Sequence, residues 1–240
     1  MTENNDVEKN STVQDTGEQW IQELLSLGKE EKMTPKQLSI LQAAIEVFSD
    51  KGYSAAATSE IAQKAGVAEG TIFRYYKTKK DLLLSIVDPA MSRMIAPFVI
   101  KNFNGVLDLP FGSYDEFLRA FIINRLEFAR KNFKIIKILI QEIPFQPALR
   151  EQFIEHITSK VLERIESIVE HFKQKGDLIE VPTPAIIRFS VSAVVGFLLA
   201  RLLLMPDQEW NDEEEIELTI KFIMHGVSAV EAQKGPYYGL

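Results

Sequence analysis

Apolar residues step by three or four along most of this 240-residue chain. The longest seam is Ile154, Ile157, Val161, Ile165, Ile168 and Phe172, and a shorter one is Leu41, Ala44, Ile45 and Phe48. That spacing stacks side chains on one face of an α-helix. No segment alternates apolar and polar residues with the turn spacing of a sheet. The expectation is an all-α fold of about nine helices, each burying one face.

Caps and breakers set the boundaries. One helix is expected from Pro35 to Lys51, stopped by Gly52. Thr58 stands as the N-cap of a second helix that ends at Gly66, and a third covers Glu69 to Tyr76. Thr78 and Asp81 read as a capping box opening a fourth, which Pro89 kinks or restarts, and Pro97 is a further break. Ser113 and Glu116 form another box before a fifth helix. A sixth spans Asn132 to Ile143, and a long seventh runs from Pro147 to Lys175 and stops at Gly176. Thr183-Pro184 reads as the cap and first turn of an eighth. Acids Glu213 to Glu215 suit the positive end of a ninth, over Asp212 to Ala232.

Charge is unevenly distributed. The chain carries a net charge of -7, which argues against a polyanionic partner until it is divided by region. Residues 1–32 hold eight acids and three bases, residues 33–83 five acids and seven bases, and the remainder 21 acids and 17 bases. The division expected is an acidic N-terminal extension (1–32), a net-basic segment (33–83) and a longer helical remainder (84–240). Residues 1–15 lack periodicity and are expected to be disordered. Thr16 and Gln19 then open a short amphipathic helix through Trp20, Ile21, Leu24 and Leu25, which docks on its own domain or serves a partner.

Cysteine is absent, which excludes disulfides, thiolate metal sites and cysteine nucleophiles. The acidic N-terminus shows no secretory pattern, so a cytoplasmic protein is expected. The most apolar stretch, FSVSAVVGFLLARLLLM, follows Arg188 and is interrupted by Arg201. Its unbroken apolar length is short for a membrane span, and a buried helix with no membrane partner is expected.

The segment TSEIAQKAGVAEGTIFRYYKTKKDLL, Thr58 to Leu83, carries the functional signal. Two short helices meet at a glycine turn, with Ala62 and Ala65 small where the helices cross. Val67 and Ile72 fill the space below. This leaves one face of the second helix exposed to enter a DNA groove. Here the sequence resembles the DNA-binding region of the TetR family of bacterial regulators. Thr58, Ile61-Ala62, Ala65-Gly66-Val67, Gly70-Thr71, Tyr75, Lys79 and Leu82 all fall in register, and the resemblance covers about 50 residues.

The resemblance implies a role for each matched residue. Thr58 caps its helix and touches a phosphate. Gly70 lets the recognition helix approach the DNA backbone. Thr71 and Arg74 reach base edges, Arg74 bidentate to a guanine. Tyr75 and Lys79 bind phosphate. Three positions depart from the family pattern. Ala68 replaces a capping hydroxyl worth ~1 kcal/mol. Phe73 stands where tyrosine is usual, so its phosphate contact loses the hydroxyl. Glu69 repels phosphate unless it accepts from a cytosine amino group, and is either a base reader or a bystander.

The rest of the chain supplies two further expectations. Ten of fifteen phenylalanines lie between Phe98 and Phe172. They are core, or they line a cavity for a small apolar effector. The cavity candidates are Phe98, Phe117, Phe121, Phe128 and Phe153, with Arg125, Gln141 and His156 as polar anchors. Ser192, Gly196 and Ala200 form a small-residue line on the eighth helix, and Ile216, Ile220, Ile223 and Val227 follow a similar rhythm on the ninth. These rows pack within the chain, or, as the resemblance implies, form a homodimer interface. Two recognition helices then read a pseudo-palindromic double-stranded operator about 34–36 Å or more apart.

The implied function is repression relieved by the effector, which shifts the fourth helix about Pro89. The alternative is the same DNA-binding fold controlled by a protein partner, or acting in chromosome organisation, with no small molecule. An enzyme has little support. Of His156, His171 and His225, the first two lie fifteen apart on one helix and neither has a carboxylate partner at metal-ligand spacing, and no phosphate-binding or nucleophile motif occurs. No metal or cofactor is expected.

Overall fold

The computed structural model describes residues 29, 32–89, 110–155 and 159–227. Ten α-helices and no strand occur among them. In chain order these are α1 (Pro35–Lys51), α2 (Thr58–Ala65), α3 (Glu69–Tyr75), α4 (Lys79–Pro89), α5 (Tyr114–Lys131), α6 (Phe133–Glu142), α7 (Pro147–Phe153), α8 (Ser159–Lys175), α9 (Thr183–Leu199) and α10 (Asp212–Val227). The helix expected around Trp20 lies outside the described residues. The chain divides into two compact units, Met1–Met91 with Phe128–Gln152 and Ser92–Glu127 with Phe153–Leu240.

In the first unit α1 is the central element, packing on α2, α4 and α6. Its stripe of Ile40, Leu41, Ala44, Ile45 and Phe48 is buried, as are Ile61 and Ala62 of α2 and Leu82, Leu83 and Ile86 of α4. Thr34 opens α1 with a capping box that the TPKQ sequence carries: the Gln37 amide donates to Thr34 Oγ1 at 3.2 Å and the Thr34 amide to Gln37 Oε1 at 2.9 Å. The Thr78–Asp81 box forms as expected, with both bonds at 3.0 Å.

In the second unit Tyr114, Phe117, Leu118 and Ile122 of α5 meet Val169 and Phe172 of α8, Ile186, Val194 and Phe197 of α9, and Ile216, Ile220 and Ile223 of α10. Burial of this apolar cluster is the main favourable term for its folding.

Several expected caps take a different form. Ala57, not Thr58, is the N-cap of α2, and Pro182, not Thr183, precedes α9; neither makes a side-chain cap bond. Thr183 is buried and donates its hydroxyl to Glu170 of α8 instead. Glu116 reaches past Ser113 to accept from the Gly112 amide at 2.8 Å. The long seventh helix is described as α7 and α8, on either side of residues 156–158.

The apolar stretch also requires correction. α9 continues through a π-helical turn, Ala200–Leu204, and Thr183–Leu204 makes a 22-residue helix long and apolar enough to cross a membrane by length and composition. It is not wholly buried either: Phe189, Val191 and Val195 are exposed. Arg201, which breaks the apolar run, bonds Asp212 at the start of α10 at 2.9 Å and lies over Trp210. It ties the turn between the two helices.

Candidate nucleic-acid interface

α2 and α3 form a helix-turn-helix whose turn is fixed by backbone bonding. Gly66 is left-handed (φ 68°, ψ 32°) and its amide donates to Gln63 O, while the Val67 amide donates to Ala62 O at 3.0 Å. That is the paired-bond ending in which a glycine satisfies the last carbonyls of a helix. Ile72 is the buried residue of α3. Glu69, Gly70, Phe73 and Arg74 are exposed, at spacings that place them side by side along one face. Phe73 keeps 45% of its surface accessible, although it is large and apolar. A Cβ added at Gly70 would meet nothing within 4 Å, and its φ is not positive, so no contact or turn within the described chain demands glycine there.

The remaining predicted contacts flank this face. Thr71 and Tyr75 are half-buried. Thr34 Oγ1 donates to Tyr75 Oη at 3.4 Å, joining the start of α1 to the end of α3. Thr58 sits in the first turn of α2, where its Oγ1 donates to Glu69 Oε1 at 2.5 Å. Lys79 Nζ lies 4.6 Å from the centre of the Tyr53 ring and donates to Ser54 O at 3.4 Å. Partial desolvation pulls its ammonium below the ordinary lysine value, partly offset by Glu142. Tyr53 is a positioning residue that sequence reasoning missed; a lone tyrosine after a helix-stopping glycine carries no pattern to mark it.

Charge pairing sharpens the polarity of this unit. Lys51 pairs with Glu60 at 2.7 Å and Lys64 with Glu46 at 2.5 Å. Those two pairs remove two bases and two acids from the balance of residues 33–83. Arg74, Lys77 and Lys80, at and beyond the end of α3, form no ion pair among the described residues. Three positive charges outside any ion pair thus lie at and just beyond the end of α3, where they favour an approaching phosphate.

The predicted effector residues fall in both units and partly outside the described residues. Phe117 and Phe121 line a small cavity in the second unit with Tyr114, Ile165, Ser190 and Val194. Its volume is about 20 Å³, room for about one water. Phe128 and Gln141 belong to the first unit, Arg125 and Phe153 do not line the cavity, and Phe98 and His156 lie outside the described residues. Burial pushes the Arg125 guanidinium down to about 10, so it remains charged at neutral pH.

The interface candidates divide in the same way. Ser192 and Gly196 are exposed and Ala200 is half-buried. Ile216, Ile220 and Ile223 are buried within their own unit, and the side chain of Val227 is not described. The exposed apolar side chains of α10 are instead Leu218 and Phe222, the latter 68% accessible. On α9 they are Phe189, Val191 and Val195. The three-four rhythm identified the inner face of α10, because a helix apolar on two sides has two such rhythms.

Comparison with known proteins agrees with this geometry. Residues 40–86 match the family described as bacterial regulatory proteins, tetR family. The chain is 44% identical over 61 residues to the fatty acid metabolism regulator protein of Bacillus subtilis; that match spans 25% of this chain and 31% of the relative's length. It is 29% identical over 209 residues to the HTH-type transcriptional regulator YvkB of Bacillus subtilis, covering 82% of this chain and all of that protein. Among solved structures, FadR from Bacillus subtilis in complex with stearoyl-CoA superposes with a TM-score of 0.58 at 21% identity, over 79% of this chain and 98% of that one, a likeness of fold. With a helix-turn-helix in register and an all-helical remainder, residues 40–86 are a DNA-binding region of the tetR family, and the chain as a whole is similar to HTH-type transcriptional regulators.

Proposed function

We propose that the protein is a repressor that binds a pseudo-palindromic operator as a homodimer and is released by an apolar, acyl-chain effector. The single observation that carries the DNA-binding half is α3, which buries Ile72 and exposes Glu69, Gly70, Phe73 and Arg74 beside an unpaired positive patch. Arg74 and Thr71 read bases. Thr58, Tyr75 and Lys79 hold phosphates, and Gly70 permits close approach. Phe73, lacking a hydroxyl, makes apolar contact only. Residues 33–83 act as the DNA-binding domain and 84–240 carry the effector and dimer functions. Within the first unit, α6 braces α1.

Dimerisation uses the outer faces of α9 and α10. Phe189, Val195, Leu218 and Phe222, with the small Ser192 and Gly196, offer an apolar surface that a second copy can cover. The acyl-chain class is supported by the fatty acid metabolism regulator's similarity and by the stearoyl-CoA bound to FadR. The seam between α5, α8 and α9 at Phe117 and Phe121 is where a ligand would enter. Sites for small ligands hold roughly 300–1,000 Å³, so effector binding must open this seam and thereby favour a second conformation.

The small size of the cavity favours a second reading, in which a protein partner or chromosome binding replaces the small molecule. One experiment separates the two. Duplexes are selected from a random pool at a fixed, stated salt concentration, and the selected site is then titrated with stearoyl-CoA. Release of the site supports the effector-controlled repressor; retention at saturating stearoyl-CoA supports the second reading. Failure to enrich any duplex overturns both.

A further inference from the structure

The bond from Thr58 to Glu69 joins the one carboxylate on the exposed face of α3 to a hydroxyl proposed to hold phosphate. Ala57 and Ala68, the N-cap residues of α2 and α3, provide no side-chain cap, so neither side chain competes for this pair. Glu69 is exposed and lies one turn N-terminal to Phe73 on the face that carries Arg74. In the major groove that face meets base edges. A carboxylate there can only accept; the adenine amino group lies beside the N7 acceptor, which opposes a carboxylate, so the matching base edge is the cytosine amino group.

A threonine hydroxyl has one proton to donate. While Thr58 donates to Glu69 it cannot donate to a phosphate, and the negative charge of Glu69 opposes the same phosphate. When Glu69 turns to a cytosine amino group, Thr58 is released. We infer that Glu69 is a specificity-determining residue that makes the Thr58–phosphate contact conditional on a cytosine in the groove. The bond at 2.5 Å is the state of the pair off its site. A correct base breaks it and supplies Glu69 with a replacement donor. An incorrect base leaves Glu69 on Thr58, so one backbone contact is lost along with the base contact. Sequence reading and backbone attachment, usually separate contributions, are linked through one proton.

This inference rests on the DNA-binding reading above. Wild type, E69A and E69Q are each used to select duplexes from a random pool at one salt concentration. E69Q keeps an acceptor for Thr58 and guards against a folding defect in E69A. For wild type, one position in each half-site should be strongly cytosine. For E69A that position should become degenerate, and duplexes changed there should bind about tenfold tighter relative to the selected site than they do to wild type, the size of one base contact. T58V should weaken wild-type binding mainly at the selected site, but weaken E69A binding equally on all duplexes. The inference is overturned if E69A and E69Q keep the wild-type preference. It is also overturned if E69A weakens every duplex by the same factor with a lower melting temperature, as a purely structural clamp would. If wild type enriches no duplex, it is the DNA-binding reading itself that fails.

Discussion

Tyr114 Oη donates to Ser190 Oγ at 3.3 Å, linking α5 to α9 across the apolar core of the second unit. Both side chains are buried and both border the small cavity. Tyr114→Phe should cost about 1 kcal/mol, the net worth of a buried hydrogen bond plus the Ser190 hydroxyl left without it. Burial raises the Tyr114 phenol above its ordinary 10.0. A raised value means the folded state holds the proton more tightly, so this contribution is complete below pH 10 and declines as pH rises through the folded value. Urea unfolding of wild type and Y114F across pH 8–11 should show the alkaline loss in wild type and a shallower one in the variant.

Arg74 should act as a base reader and Lys79 as a phosphate binder. Arg74→Lys keeps the charge but loses the fork, so it should relax the selected sequence at one position and weaken binding there about tenfold. Lys79→Gln should weaken all duplexes alike and lower the salt-dependence slope by about one. Fluorescence anisotropy over a range of salt concentrations distinguishes the two behaviours.

The outer faces of α9 and α10 should hold the dimer. The Phe189 ring lies so close to Gly226 that a Cβ there would meet it at 3.0 Å. Phe222→Glu places a charge in the proposed interface and should yield monomers by sedimentation. Operator affinity should fall with it, because one recognition helix then binds alone. A dimer of unchanged stability would move the interface elsewhere.

Arg119 grips Glu217 with two bonds, at 2.5 and 2.6 Å, between α5 and α10. The guanidinium holds the Glu217 carboxyl below its ordinary 4.5. A depressed value gives stability that is present above 4.5 and is lost as pH falls through the folded value. The pair is solvent-exposed, so screening limits it to under about 1 kcal/mol. Glu217→Gln should therefore lower the melting temperature slightly at pH 7, and the difference from wild type should vanish in acid.

Pro89 is the last described residue of α4. As a hinge, its replacement by alanine should reduce the effector's effect on operator affinity from the 5–150-fold typical of such coupling to a few-fold. Coupling in P89A equal to wild type, measured with stearoyl-CoA, rejects the hinge.

The head of this protein was almost fully legible in the sequence. The boundaries of α1, the glycine turn and the Thr78–Asp81 box follow from local rules, in which neighbours in sequence are the partners in space. The failures share one cause. Thr58 and Thr183 were assigned caps because threonine before a helix usually bonds its own backbone, yet each bonds a glutamate 11 or 13 residues away. Ile216, Ile220 and Ile223 show which residues form a face, but not which of two apolar faces turns inward. Nor does the aromatic spacing show which compact unit each ring joins. Phe117 and Phe128 are both buried on the same helix, but in different units.

Gly66 and Gly70 stand four residues apart and answer to different masters. The first is required by the bend of the main chain itself, whatever the protein does. The second has open space around it. A descendant that kept this architecture but abandoned its operator would have to retain glycine at 66 and would be at liberty to drift at 70, so the pair offers a simple test of whether a relative still works on DNA.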